Sequence, residues 1–111
     1  MWSRRKGIMK YKSNKLRNLE KNRFSVFYED LSCCCHCGST YQITKHEVFE
    51  GRNRRNSMIY GFVLPLCLRC HRDLQDNKAF NDFWKKKAQT YFEVNLGTTE
   101  DFIKKFGKNY K

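Results

Sequence analysis

Apolar positions in this chain fall into short extended runs early and helical stripes late. "FSVFY", 24–28, alternates large apolar residues with small ones and predicts a strand. "YQITKHEVF", 41–49, is β-branched and aromatic, and predicts a second extended segment. "FVLPL", 62–66, is a short apolar run in which Pro65 points to an edge strand or a strand end. Between these last two lies "EGRNRRNS", 50–57, a polar, basic stretch expected to be a loop.

The later pattern changes period. From Ala79 to Asn95, Phe80, Phe83, Trp84, Ala88, Tyr91 and Phe92 recur at helical spacing on one face, with Gly97 as the stop. Thr98 and Asp101 have the spacing of a capping-box variant for a last helix. That helix packs through Phe102, Ile103 and Phe106 and ends at Gly107. These aromatics are expected in the core rather than stacked on bases. Near the start, "NKLRNLEKNR", 14–23, predicts a short basic helix with Leu16 and Leu19 on one side. Residues 1–13 are expected to be disordered. There is no internal repeat and no low-complexity linker.

Charge and length narrow the class. A chain of 111 residues makes one small domain with a marginal core. The formal net charge is +12, and residues 1–23 hold nine of the 23 Lys/Arg against Glu20 alone. A basic arm of this kind suits a polyanion, so residues 1–23 are taken as a nucleic-acid-binding arm and 24–111 as the folded domain. No apolar run has the length of a signal peptide core or a membrane span. The expected setting is therefore the cytoplasm, with thiols reduced and no membrane partner.

Reduced thiols turn the six cysteines toward metal. Cys34-x-x-Cys37 and Cys67-x-x-Cys70 are two chelating pairs separated by 29 residues, the pattern of a Cys₄ zinc site. Four thiolates leave no open position, so this zinc would be structural. Cys33 and Cys35 are surplus, and His36 is expected to point out of the knuckle. A thioredoxin-like redox motif would need one such pair beside a strand–helix–strand pattern, which is absent. His71 follows Cys70 directly. On a helix, neighbours diverge by about 100°, so His71 must face something other than the zinc.

The order knuckle, "HE" strand, basic loop, strand, knuckle and histidine on a helix resembles the HNH endonucleases, whose ββα-metal (His-Me) finger pinches a catalytic divalent ion. "HEVFEGRNRRNSMIYGFVLPLCLRCHRDL" is similar to small HNH-type proteins of bacterial and phage genomes, and "KLRNLEKNRFSVF" and "DFIKKFGKNY" are similar to flanking pieces of that group. The resemblance implies an α+β fold: a small zinc-stabilised ββα-metal domain with a basic N-terminal arm and C-terminal helices. It implies hydrolysis of DNA phosphodiester bonds in a bacterial or phage-infected cell. The catalytic residues would be His46, Glu47 and His71, with His46 and His71 holding Mg²⁺ or Mn²⁺. Glu47 stands where the family's second strand histidine would be. It is a candidate base with His46 as ligand; the reverse assignment, His46 as base and Glu47 as ligand, is equally open. Arg52, Arg54 and Arg55 suit phosphate clamping, with Asn53 beside them as a further nucleic-acid-binding candidate, and Asn53 or Asn56 can pin the loop to backbone. Two rival readings are a catalytically silent zinc-finger DNA-binding protein, serving phage recombination, packaging or regulation, and a protein–protein adaptor on a zinc scaffold.

Overall fold

The computed structural model describes residues 14–111; the arm's first thirteen residues, expected to be disordered, lie outside them. Helix α1 spans Asn14–Lys21. Strand β1 (Ile43–Glu47) pairs antiparallel with β2 (Val63–Cys67), with His46 opposite Leu64 and Ile43 opposite Cys67. Between the strands run a 3₁₀ turn (Gly51–Asn53) and helix α2 (Arg54–Tyr60). Helices α3 (Leu68–Leu74), α4 (Lys78–Asn95) and α5 (Thr99–Phe106) follow. The result is an α+β domain with a two-stranded sheet and, among the described residues, five α-helices. No described helix is long and apolar enough to cross a membrane.

Two expected elements differ. Residues 24–28 form no strand. Ser25 Oγ accepts hydrogen bonds from the N–H groups of Phe27 and Tyr28 at 3.0 and 3.2 Å, curling the segment back on itself. Its apolar residues still pack: Phe27 meets the ring of Trp84 at 5.2 Å between centroids. The segment 50–57 is not an open loop but largely helical. Buried Ser57 donates to the Phe49 carbonyl and accepts from the Phe49 N–H, tying α2 to the end of β1. Asn53 and Asn56 donate to the carbonyls of Phe106 and Lys105, so both asparagines fasten this connection to α5. Gly61, at φ +76°, ends α2 in the left-handed region and turns the chain into β2.

Pro65 sits within β2 rather than at its end. A two-stranded sheet has only edge strands, so the missing N–H breaks no second ladder. The Pro65 carbonyl instead accepts the Cys35 N–H at 2.8 Å, bringing the first knuckle onto β2.

The core is aromatic and is closed from the C-terminal side. Phe49, Phe62, Phe102 and Phe106 are each no more than 2% exposed. The Phe106 ring lies 4.5 Å from Phe49 and 4.6 Å from Phe102. The Thr98–Asp101 capping box is present in full and starts α5 at the register that delivers these rings. On α4, Trp84, Ala88 and Phe92 are buried as the periodicity requires, whereas Phe83 stands 57% exposed beneath the Lys87 ammonium. Gln89 is fully buried on the same helix and donates to Glu93 and Asn109, while its carbonyl accepts from the Tyr110 N–H. It thereby holds the C-terminal segment against α4.

Candidate metal centres

The four knuckle cysteines come together. The Sγ atoms of Cys34, Cys37, Cys67 and Cys70 all lie within 4.8 Å of one another, and those of Cys37 and Cys67 are 3.7 Å apart. Each knuckle aims backbone N–H groups at sulfur. Cys34 Sγ accepts from the amides of His36 and Cys37, each at 3.4 Å, and Cys67 Sγ accepts from Cys70 at 3.5 Å. Burial pushes the Cys34 thiol up, but the amides from Cys67, Cys37 and His36 outweigh it and bring the pKa down to about 6. Cys70 moves the other way: burial and the neighbouring thiols raise it. Four sulfurs crowded around N–H donors, with one already favouring thiolate, fit a soft divalent ion. The set is compatible with a structural zinc site. Cys35 lies apart from the four, its thiol pushed up to about 11 by burial and by Cys34. His36 is exposed, with its ring edge toward Phe80.

A second cluster forms on the sheet face turned toward α3. Side chains alternate along β1, so Thr44 and His46 share one face and Glu47 takes the other. Cys67 caps α3, and the helix turns His71 away from the sulfurs toward β1. His46 Nδ1 and His71 Nε2 are 3.2 Å apart, with ring centroids 4.9 Å apart. His71 Nδ1 lies 2.7 Å from Thr44 Oγ1, which donates its own proton to the Leu66 carbonyl at 2.7 Å. A hydroxyl has one proton, so Thr44 must accept from His71 Nδ1–H. Neutral His71 therefore presents the Nε2 lone pair to His46. His46 is 2% exposed, and burial, with the His71 and Lys85 charges, holds its pKa down to about 4. Two nitrogens each about 2.0–2.1 Å from one ion stand roughly 3 Å apart, which the observed separation matches.

Glu47 is not part of this cluster. Its Oε1 accepts from Arg54 Nε at 3.1 Å, and Arg54 also binds Glu20 of α1. Arg23 Nε lies 3.2 Å from Glu47 Oε2, but neither atom has a hydrogen-bond partner, so this pair is held by charge without good hydrogen-bond alignment. Glu47 and Arg54 thus join α1, α2 and β1 on the face opposite His46. The segment 14–23, assigned to the arm from its charge, is bound to the domain through Glu20 and Arg23.

Of the residues expected to meet phosphate, Arg52 and Arg55 are exposed, Arg54 is engaged by two carboxylates, and Asn53 is engaged by α5. Sequence reasoning missed three residues at the histidine pair. Thr44 was signalled by its i,i−2 relation to His46 on a strand. Glu50 Oε2 lies 3.7 Å from His46 Nδ1, and its signal was only an i,i+4 spacing. Phe80, the first aromatic of α4, covers His46 at 6.1 Å between ring centroids and had no local signal. No protein-family model matches this chain, and neither a curated protein nor a solved structure is significantly similar to it.

Proposed function

We propose that the protein is a metal-dependent endonuclease of the HNH type that hydrolyses DNA phosphodiester bonds, with a structural zinc in the four cysteines. The observation that carries this reading is the convergence of His46 and His71 from β1 and α3, 3.2 Å apart and away from the cysteine cluster. In this reading His46 and His71 hold Mg²⁺ or Mn²⁺. The ion would supply charge stabilisation at the scissile phosphate and the leaving oxygen. Thr44 orients His71 through its Nδ1–H, and Phe80 shields His46 from water. Arg52, Arg55 and the basic N-terminal residues bind backbone phosphates and set position rather than sequence. We assign Glu47 an anchoring role, because its carboxylate is held by Arg23 and Arg54.

That same pairing favours a second reading, a catalytically silent zinc-finger protein that binds DNA. A strand carboxylate engaged by two guanidiniums on the face opposite His46 is not placed to activate water at the histidine pair. The deciding experiment incubates purified protein with supercoiled plasmid and Mg²⁺, Mn²⁺ or Ni²⁺, beside His71→Ala. Metal-dependent nicking or linearisation that His71→Ala abolishes supports the nuclease. DNA binding without cleavage at any metal supports the silent module.

A further inference from the structure

Glu50 has no role in the two-histidine reading, yet its carboxylate is the nearest acidic group to the pair. His46 Nδ1 has two polar neighbours, His71 Nε2 at 3.2 Å and Glu50 Oε2 at 3.7 Å. Thr44 has already fixed His71 Nε2 as a lone pair. Glu50 Oε2 is a further acceptor. The Glu50 side chain is exposed and open to solvent, and a divalent cation placed here would accept an electron pair from each of the three atoms.

We infer that Glu50 is the oxygen ligand of the second metal site, completing a two-histidine, one-carboxylate set with His46 and His71. The inference rests on the proposed reading of the histidine pair and extends it to a third residue. Glu50 lies just beyond β1, where the chain leaves the strand for the 3₁₀ turn, and this turns its side chain back toward His46 four residues earlier. Its side chain is 56% exposed. Oε2 must turn toward His71 to share an ion with both rings, and the exposed side chain has room to do so. An oxygen ligand also alters metal preference. Two imidazoles alone favour the later transition metals, whereas a carboxylate brings Mg²⁺ and Mn²⁺ into range. Glu47, the neighbouring acid, cannot serve here because it lies on the opposite face with Arg23 and Arg54.

The test is a Mn²⁺ titration of the full-length, zinc-loaded protein, following free Mn²⁺ by electron paramagnetic resonance. Mn²⁺ is a hard ion and leaves the thiolates to zinc. Zinc content and circular dichroism verify that each variant is folded. Wild type should bind one Mn²⁺ beyond the zinc, His71→Ala should lose it, and Glu50→Gln and Glu50→Ala should each weaken it at least ~10-fold, as removal of a residue that supports a metal site does. Glu100→Gln removes the same charge from α5 and should leave affinity unchanged. Mn²⁺ binding lost in His71→Ala but unaltered in both Glu50 variants would overturn the role of Glu50 and leave the histidine pair standing. A wild type that binds no Mn²⁺, while zinc-loaded and folded, would overturn the two-histidine site itself and Glu50 with it.

Discussion

Thr44 Oγ1 stands 2.7 Å from His71 Nδ1 and donates its O–H in a hydrogen bond to the Leu66 carbonyl. This relay fixes which His71 nitrogen carries hydrogen. Thr44→Val keeps the shape and removes the acceptor. Affinity of the histidine pair for a divalent ion should fall by roughly 10-fold or more, the usual cost of losing a residue that orients a ligand. Nitrogen-15 NMR of the imidazoles should show the Nδ1–H tautomer of His71 in wild type and a mixture in the variant. A variant with the same tautomer and the same affinity would remove Thr44 from the site.

The cysteine cluster should hold about one zinc per chain, by its four-thiolate count. Chelation, or Cys67→Ser, should abolish the near-ultraviolet circular dichroism of the aromatic core, because metal binding and folding are one equilibrium in a domain this small. Cys35→Ser, outside the cluster, should retain the metal. Full tertiary structure in a zinc-free sample would contradict this account.

Glu47 is expected to act on stability. Its side chain is 12% exposed and faces Arg23 and Arg54. Glu47→Ala leaves two guanidiniums short of a partner and should cost about 1–3 kcal/mol in urea unfolding. It should loosen α1, seen as faster amide exchange over residues 14–21, and leave Mn²⁺ affinity intact. Abolished Mn²⁺ binding with unchanged stability would place Glu47 at the metal after all.

His46 gives the fold a pH dependence. Its folded pKa is held down to about 4 by burial, His71 and Lys85, against an ordinary value of 6.5. Between those values the unfolded chain takes up a proton that the folded one refuses. Stability should therefore fall as pH drops from 6.5 toward 4, by roughly 3 kcal/mol in all, and this contribution should flatten below that. Acid also displaces metal from thiolates, so the measurement is the difference between wild type and His46→Gln in urea melts at pH 7 and pH 5. The variant should show the shallower dependence, and parallel profiles would refute the assignment.

Deleting residues 1–13, which carry five Lys/Arg, should weaken DNA binding and flatten its dependence on salt, by about 0.9 in log–log slope for each phosphate no longer neutralised. Zinc content should not change. An unaltered slope would mean that these residues do not meet nucleic acid.

Local chemistry made much of this molecule legible in its sequence. Paired cysteines at chelating spacing, the Thr98–Asp101 box, Gly107 and the aromatic stripe of α4 each depend on residues within a turn or two, and each is found in the structure. The strand pair 43–47 and 63–67 was likewise legible from β-branched and apolar runs. Strict alternation already put His46 and Glu47 on opposite faces. What each face meets was not legible, because the partners arrive from distant segments: Arg23 from before the first knuckle, and His71 from 25 residues beyond His46. Residues 24–28 had the composition of a strand, but Ser25 took the amides of Phe27 and Tyr28, leaving Val26 to bond the Gly61 carbonyl without a ladder forming. Residues 50–57 had the composition of a loop, but carbonyls at the end of α5 and the buried hydroxyl of Ser57 made them helical. Sequence sets what a segment can satisfy within itself; tertiary structure decides which distant donors, acceptors and charges it must satisfy instead.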